Sequence, residues 1–285
     1  MMSVTARRAR AAFCLIALIA FGVAHAALPR SANVPGGVAL VDLGSLAAHP
    51  RTPQVWLGEQ PVLVGKENGR WVAVVGLALD LAAGKHELRL TTGDETRHLS
   101  FEVKAKHYPE QRITLKDSSK VQLSAVDAQR VERELAELRR LKNQWTESPD
   151  TPLSFQLPVD GRHVGRFGLR RTFNGEPRAP HAGFDIAVAR GTAVKAGAPG
   201  LVLAVDDYFF NGKTVLLDHG KGLLSMVCHL DRIDVQAGET VGQGQRLGLS
   251  GMTGRATGPH VHWSIVLNGA MVDPELFVPT QRKAR

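Results

Sequence analysis

From residue 153 onward, short apolar runs alternate with glycine turns, and no run has the 3.6-residue period of a long helix. Three such runs, at 192–196, 200–205 and 213–218, have the length of ordinary strands. Parallel strands need a long crossover, usually a helix, whereas antiparallel strands can be joined by short turns. The pattern therefore predicts an antiparallel β fold and argues against a parallel α/β sheet.

One of these strands opens with the sequence His-Val-His, after a loop rich in glycine and threonine. Alternate residues of a strand point to the same face, so His260 and His262 present two imidazoles to one side. Paired histidines of this kind also occur at surfaces and in cores, which is the plain alternative. Further candidates upstream favour a metal or catalytic site, and these are His181, Asp185 and His229.

The first 26 residues have the pattern of a secretory signal peptide. A basic stretch with Arg7, Arg8 and Arg10 precedes an apolar run and then the small-x-small sequence Ala24-His-Ala26. The run is too short to span a bilayer comfortably, which takes about 20 residues. We therefore expect cleavage after Ala26 and no integral membrane segment afterwards, with the Sec and Tat export routes both open.

Cleavage would leave Cys228 as the single cysteine, so a structural zinc site closed by several thiolates is disfavoured. Two neutral imidazoles and one carboxylate around Zn²⁺ leave a net charge of +1 and an open fourth position, which is the composition of a catalytic zinc site. Histidines left over from the metal would serve as acid or base near neutral pH. For Asp185 the alternative is a solvated turn residue.

Residues 27–107 are expected to form a small immunoglobulin-like β-sandwich. Their apolar runs are short and alternating, and the Asn68-Gly69 pair between two of them predicts a hairpin.

Residues 108–151 form a connecting segment with a helix predicted over 124–147 and a proline-containing linker. Ser124 and Asp127 form a variant capping box for that helix. Its apolar stripe is Val131, Leu135, Leu138, Leu141 and Trp145.

Residues 152–280 resemble peptidase family M23, the lysostaphin/LytM-type metallopeptidases. The resemblance lies in His-x-x-x-Asp at 181–185, His229-Leu, and His-x-His at 260–262, in the order of that family. Gly258-Pro259 before the last motif supports it, and residues 281–285 remain as a basic tail. The implied fold is mainly β, with an antiparallel catalytic domain that follows the β-sandwich and the one amphipathic helix.

The resemblance also implies roles for the five site residues. His181, Asp185 and His262 would bind one Zn²⁺ per chain, and His229 and His260 would flank the attacking water as base and transition-state stabiliser. Which of these two is the base stays open. Members of the family are endopeptidases that cut peptide bonds in bacterial peptidoglycan, and whether the bond here is D,D, L,D or glycyl is not decided by the sequence. Trp263-Ser264 departs from the common Phe-Glu and leaves the shape of the substrate subsites in doubt.

Two other functions fit parts of the pattern. Some family members lack several site residues and activate a peptidoglycan amidase without catalysis, so a regulatory LytM-type protein is the main alternative. A metal-binding carbohydrate module is the other, and it would not need His229.

The charge and the export signal bear on partners and location. Removing the three arginines of the predicted signal peptide lowers the formal charge from +8 to +5, a mild excess that suits an anionic polymer but that solubility alone explains. We expect peptidoglycan as the partner, no nucleic acid, and a periplasmic location. We also expect contact between the N-terminal region and the active-site groove, which would limit access to it.

Overall fold

The computed structural model describes residues 28–113, 123–173, 175–177 and 179–279. The predicted signal peptide and the basic tail at 281–285 lie outside this part of the chain. Within it, no helix combines the length and the apolar character needed to cross a membrane.

Seven strands between residues 38 and 103 form two antiparallel sheets around one apolar core. They are β1 (Val38–Ser45), β2 (Gln54–Leu57), β3 (Gln60–Pro61), β4 (Leu63–Glu67), β5 (Arg70–Gly76), β6 (Gly84–Thr92) and β7 (Glu95–Val103). One sheet has the order β1-β5-β4 and the other β3-β2-β6-β7. The Asn68-Gly69 turn joins β4 to β5 as predicted, and the predicted β-sandwich is confirmed.

The connecting segment holds a helix, α1 (Ala125–Lys142), and a strand that the sequence did not predict, β8 (Glu110–Ile113). Ser124 caps the helix as expected, because its hydroxyl accepts a hydrogen bond from the main-chain N–H of Asp127 at 3.1 Å. The predicted end at residue 147 is wrong. Asn143 ends the helix, with its main-chain N–H bonded to the Arg140 carbonyl and that of Gln144 bonded to the Leu141 carbonyl.

The apolar stripe of α1 is narrower than predicted. Leu138 and Leu141 pack on one face, here called the outer face, of the large sheet that forms after residue 152. Val131 is also buried, but Leu135 is 45% exposed. Trp145 lies beyond the helix and its ring faces Gly222. The buried part of the stripe therefore packs α1 against the strands that follow residue 152.

The region after residue 152 is β-rich, as predicted. Its strands are β9 (Arg162–Gly165), β10 (Arg170–Phe173), β11 (Glu176–Pro177), β12 (Phe184–Ala187), β13 (Ala193–Lys195), β14 (Gly200–Tyr208), β15 (Gly212–Asp218), β16 (Leu223–Ile233), β17 (Thr240–Val241), β18 (Arg246–Ser250), β19 (His260–Leu267) and β20 (Ala270–Val272), and a short 3₁₀ helix follows at Pro274–Phe277. The large sheet has the path β17-β14-β15-β16-β19-β12-β9, with β13, β18 and β20 attached, and all of its pairs are antiparallel.

The sandwich and the large sheet share a continuous apolar seam. Val38, Leu63 and Val74 of the sandwich belong to the same buried cluster as Leu153 and the inner face of the large sheet. The Asn268 side chain crosses the seam to Gly76, whose main-chain N–H and C=O it bonds at 2.6 and 3.1 Å. The two regions are thus joined by core packing as well as by the chain.

Candidate metal centre

Two adjacent strands of the large sheet supply the centre of the site. His260 and His262 open β19, and Asp185 on β12 is the register partner of His262. His181 lies in the loop that leads into β12, and His229 lies on β16, the neighbour of β19 on its other side. The structure therefore brings all five sequence-predicted residues to one end of these strands.

Three of the five form a tight cluster. The distance from His181 Nε2 to Asp185 Oδ1 is 3.0 Å, from His181 Nε2 to His262 Nδ1 is 3.1 Å, and from His262 Nδ1 to Asp185 Oδ1 is 2.9 Å. Ligands about 2.0–2.1 Å from a tetrahedral zinc lie about 3.3 Å from one another. The spacing of the three atoms is therefore close to that of a zinc ligand set, and this group could hold a metal ion.

Each imidazole also makes a hydrogen bond on the side that points away from the cluster. These bonds decide the tautomer of the ring, and so whether the nitrogen that faces the cluster carries a lone pair or a proton. The hydroxyl of Ser264 donates to the Ala182 carbonyl, so it accepts from the Nε2–H of His262, at 2.8 Å. In the neutral imidazole this leaves His262 Nδ1 without a proton. In the same way His181 Nδ1 donates to the Arg166 carbonyl at 2.9 Å, and His181 Nε2 is left without one.

Two unprotonated imidazole nitrogens and a carboxylate oxygen thus converge within 3.1 Å. Lone pairs at that distance repel each other unless a cation lies between them, so the donor set fits a metal ion and fits an internal hydrogen-bond network poorly. Burial works to raise the pKa of Asp185, but hydrogen bonds and positive charge from protonated His181 and His262 outweigh it and hold that pKa well below its usual range. A cation in place of those imidazole protons has the same effect, so the carboxylate is ionised, as a ligand must be.

His229 and His260 lie beside this cluster with their rings 4.6 Å apart. His229 Nδ1 donates to the Thr253 carbonyl and His260 Nδ1 to the Gly258 carbonyl, both at 2.8 Å. Each Nε2 is consequently free to accept a proton. Burial lowers the pKa of His229 to about 4, so its ring is neutral at physiological pH. The pair can therefore supply a base and a second polar group next to the cluster.

A local distortion of β16 aims His229 at the site. His229 has a φ of +62°, a conformation that few residues other than glycine adopt, and the register between β15 and β16 shifts there. Its neighbour Cys228 is fully buried among apolar side chains, and burial raises the pKa of its thiol to about 12. Cys228 is therefore a residue of the apolar core.

Several residues that shape the site were missed or misjudged from sequence. Ser264 orients His262, whereas the sequence linked its departure from the common Glu only to the shape of the substrate subsites. Trp263 is 1% exposed and packs against Phe155, so it lines no subsite. The carbonyls of Arg166, Thr253 and Gly258 leave no signal in the sequence, because any residue type provides a carbonyl.

Gly183 is in such close contact with the site that we expect any side chain there to disturb it. A Cβ at this position would lie 2.4 Å from the His262 imidazole. We predict that Gly183→Ala weakens metal binding at this cluster by about 10–100-fold, the effect typical of lost ligand orientation. The measurement is competition with a chromophoric chelator. Gly242→Ala is the matched control, because a Cβ there meets no atom within 4 Å, and equal affinities in both variants would contradict the prediction.

Comparison with known proteins agrees with this geometry. The family model of peptidase family M23 matches residues 179–274, and that of the M23 N-terminal domain matches residues 31–106. The peptidoglycan DD-endopeptidase ShyA of Vibrio cholerae is 40% identical over 121 residues, which are 41% of this chain and 28% of ShyA. The DD-carboxypeptidase/endopeptidase Mpg of Neisseria meningitidis is 35% identical over 101 residues, 35% of this chain and 23% of Mpg. The chain thus covers less than a third of the length of these relatives.

One solved structure is similar over nearly the whole length. A crystal structure assigned to peptidase M23, from Pseudomonas aeruginosa, is 40% identical and has a TM-score of 0.73. The similarity covers 87% of this chain and 95% of that one, so it includes the sandwich as well as the large sheet. On the family models and this full-length similarity, the chain belongs to peptidase family M23.

Proposed function

We propose that this protein is a zinc-dependent endopeptidase that hydrolyses peptide bonds in peptidoglycan. The observation that carries the proposal is the convergence of the unprotonated nitrogens of His181 and His262 on the ionised Asp185, with two further imidazoles beside them. The substrate class is supported by relatives named as peptidoglycan DD-endopeptidases, and these names also favour a D,D cross-link as the scissile bond.

His181, Asp185 and His262 would hold the zinc. When bound, zinc supplies a Lewis acid that polarises the scissile carbonyl and makes water a stronger nucleophile. His229 Nε2 faces the site as a neutral acceptor, held by its bond to Thr253, and is suited to take a proton from the attacking water. His260 Nε2, 3.9 Å from Asp185 Oδ1, lies on the same side, where, after taking up a proton, it would donate to a developing oxyanion and stabilise it.

The main alternative, a non-catalytic activator of an amidase, requires none of this arrangement. A binding surface does not need imidazoles whose tautomers are fixed by Arg166, Ser264, Thr253 and Gly258. The carbohydrate-module alternative likewise leaves the strained conformation of His229 without a purpose. The complete and oriented set therefore favours the enzyme.

The test is digestion of purified sacculi by the full chain without its first 26 residues, with and without a chelator, with the fragments identified by mass. We expect fragment release that stops with chelator and returns with zinc. His181→Ala should lose both zinc and release, whereas His163→Ala should keep both, since His163 is an exposed histidine that meets Phe184 edge-on outside the site. Release that persists in His181→Ala would overturn the proposal, and so would no release at all from the zinc-loaded protein.

The periplasmic location and the limited access to the groove stay predictions. The first is supported by the signal-peptide pattern in residues 1–26, together with the proposed substrate. The second is supported by the size of the region before the linker, and it is tested by comparing the activity of the full chain with that of residues 151–285. Equal specific activity of two stably folded proteins would contradict limited access.

A further inference from the structure

The loop that carries His181 is held by a short stretch of chain before it. The main-chain N–H of His181 donates to the Leu169 carbonyl at 2.9 Å, and that of Gly168 donates to the His181 carbonyl at 2.7 Å. The imidazole Nδ1 of His181 donates to the Arg166 carbonyl at 2.9 Å. Residues 166–169 therefore fix both the backbone and the ring of this proposed ligand.

Residues 166–169 are themselves held by the connecting segment. Strand β8 pairs in parallel with β10, and the main-chain N–H of Arg170 donates to the Pro109 carbonyl at 2.9 Å. The hydroxyl of Thr172 donates to the Glu110 carboxylate at 2.9 Å. These bonds tie the strand that follows the 166–169 stretch to a segment about 60 residues earlier in the chain.

Tyr108 makes the closest contact of this segment. Its ring lies directly against Gly168, where a Cβ would be 2.0 Å from Tyr108 Cδ1, so the approach depends on a glycine. Gly168 also has a φ of +79°. The ring of Phe167 meets that of Tyr108 edge-on at 6.3 Å. The aromatic ring thereby covers the two residues next to the bonds that hold His181.

The other end of Tyr108 is anchored in the sandwich region. Its hydroxyl donates to the Pro35 carbonyl at 2.7 Å, and the ammonium of Lys106 lies 4.4 Å from the ring centre. Burial raises the pKa of Tyr108 to about 12, so the hydroxyl keeps its proton and remains a donor. The side chain thus bridges the N-terminal region and the chain that holds His181.

We propose that Tyr108 is a positioning residue for the metal centre, which acts by fixing residues 166–169 and through them His181. The N-terminal region then contributes to the geometry of the catalytic site, in addition to any effect on access. This inference rests on the proposed function, because His181 must be a zinc ligand for its position to matter. It assigns a role to a residue that lies outside the segment matched to the peptidase model, residues 179–274.

The experiment measures zinc affinity of the full chain without its first 26 residues, by chelator competition, together with thermal stability. Tyr108→Ala should weaken zinc binding by about 10–100-fold, as expected when a ligand loses its orientation. Tyr108→Phe keeps the ring against Gly168 and should restore most of the affinity. If the alanine variant does not fold, Tyr108→Leu takes its place, since it keeps apolar bulk without the flat ring.

Asn268→Ala is the matched control. It removes two hydrogen bonds across the same seam, away from residues 166–169, and should lower stability without changing zinc affinity. Wild-type affinity in the Tyr108 variants would overturn the proposal, and so would an equal loss of affinity in Asn268→Ala. A His181→Ala variant that still binds zinc normally would instead overturn the ligand assignment, so the two failures are distinguishable.

Discussion

Replacing His229 with alanine should leave zinc bound and lower turnover by about 10²-fold or more, the usual cost of a lost general base or oxyanion donor. The three clustered atoms belong to His181, Asp185 and His262, and none of them depends on His229 for its orientation. His229 instead presents a neutral Nε2 beside them, because its Nδ1 donates to the Thr253 carbonyl. The expected loss of turnover therefore comes from the missing imidazole and not from a disturbed metal cluster.

The backbone at His229 calls for a second variant. Its φ of +62° is costly for alanine, so His229→Ala also relaxes or strains the bulge in β16. Asparagine tolerates this conformation better and cannot serve as a base at neutral pH. We expect His229→Asn to match the alanine variant in turnover, measured on sacculi, and to match the wild type in zinc content. Zinc lost from the asparagine variant would make His229 a ligand, and near-normal turnover would remove it from the chemistry.

The position of the site could be predicted because it follows from strand periodicity. His260 and His262 alternate with Val261, and Val261 is fully buried while the two imidazoles face the site. His181, Asp185 and His229 were further candidates upstream, to which the resemblance to family M23 assigned roles, and the fold places them beside the pair. Short-range pattern and motif order were therefore sufficient to select a set of residues that the fold brings together.

The hydrogen bonds that orient those residues could not be predicted. The acceptor for His229 is the carbonyl of Thr253, 24 residues later, and the acceptor for His181 is that of Arg166. A carbonyl is present at every position, so only the fold decides which one is near. The strain at His229 has the same origin, since nothing in its local sequence indicates a left-handed conformation.

Two errors in the connecting segment have a similar physical cause. Strand β8 is short and polar, and its partner is β10, so its existence depends on a long-range pairing that no local pattern reveals. The stripe predicted for α1 extended to Trp145, but Asn143 ends the helix and the indole packs against Gly222 instead. An apolar residue at helical spacing is equally suited to a turn that buries it elsewhere.

Removing residues 1–150 should destabilise the peptidase region strongly, which affects any test of access to the groove. The cut removes Leu138 and Leu141, which α1 packs against the outer face of the large sheet around Leu224 and Val266. Each buried leucine contributes about 1.5–3 kcal/mol, so these two alone account for about 3–6 kcal/mol. Typical domains have only about 5–15 kcal/mol in total.

The same cut uncovers the seam with the sandwich, where Val38, Leu63 and Val74 share a core with Leu153. We therefore expect residues 151–285 to melt at least about 10 °C below the full chain without its first 26 residues, given about 2–4 °C per kcal/mol for a region of this size. Residues 123–285, which keep α1, should recover part of the difference. Thermal melts of the three zinc-loaded proteins give the comparison.

A cooperative melt of residues 151–285 within a few degrees of the longer protein would show that α1 and the sandwich add little, contrary to this expectation. If the large drop is found, a change in the activity of residues 151–285 combines two opposite effects, a more open groove and a less stable centre that lacks Tyr108. The access hypothesis is then better tested at a temperature where both proteins are folded, with activity expressed per bound zinc. An N-terminal region that only limited access would leave the metal affinity of the shorter protein unchanged, whereas one that also positions His181 would lower it.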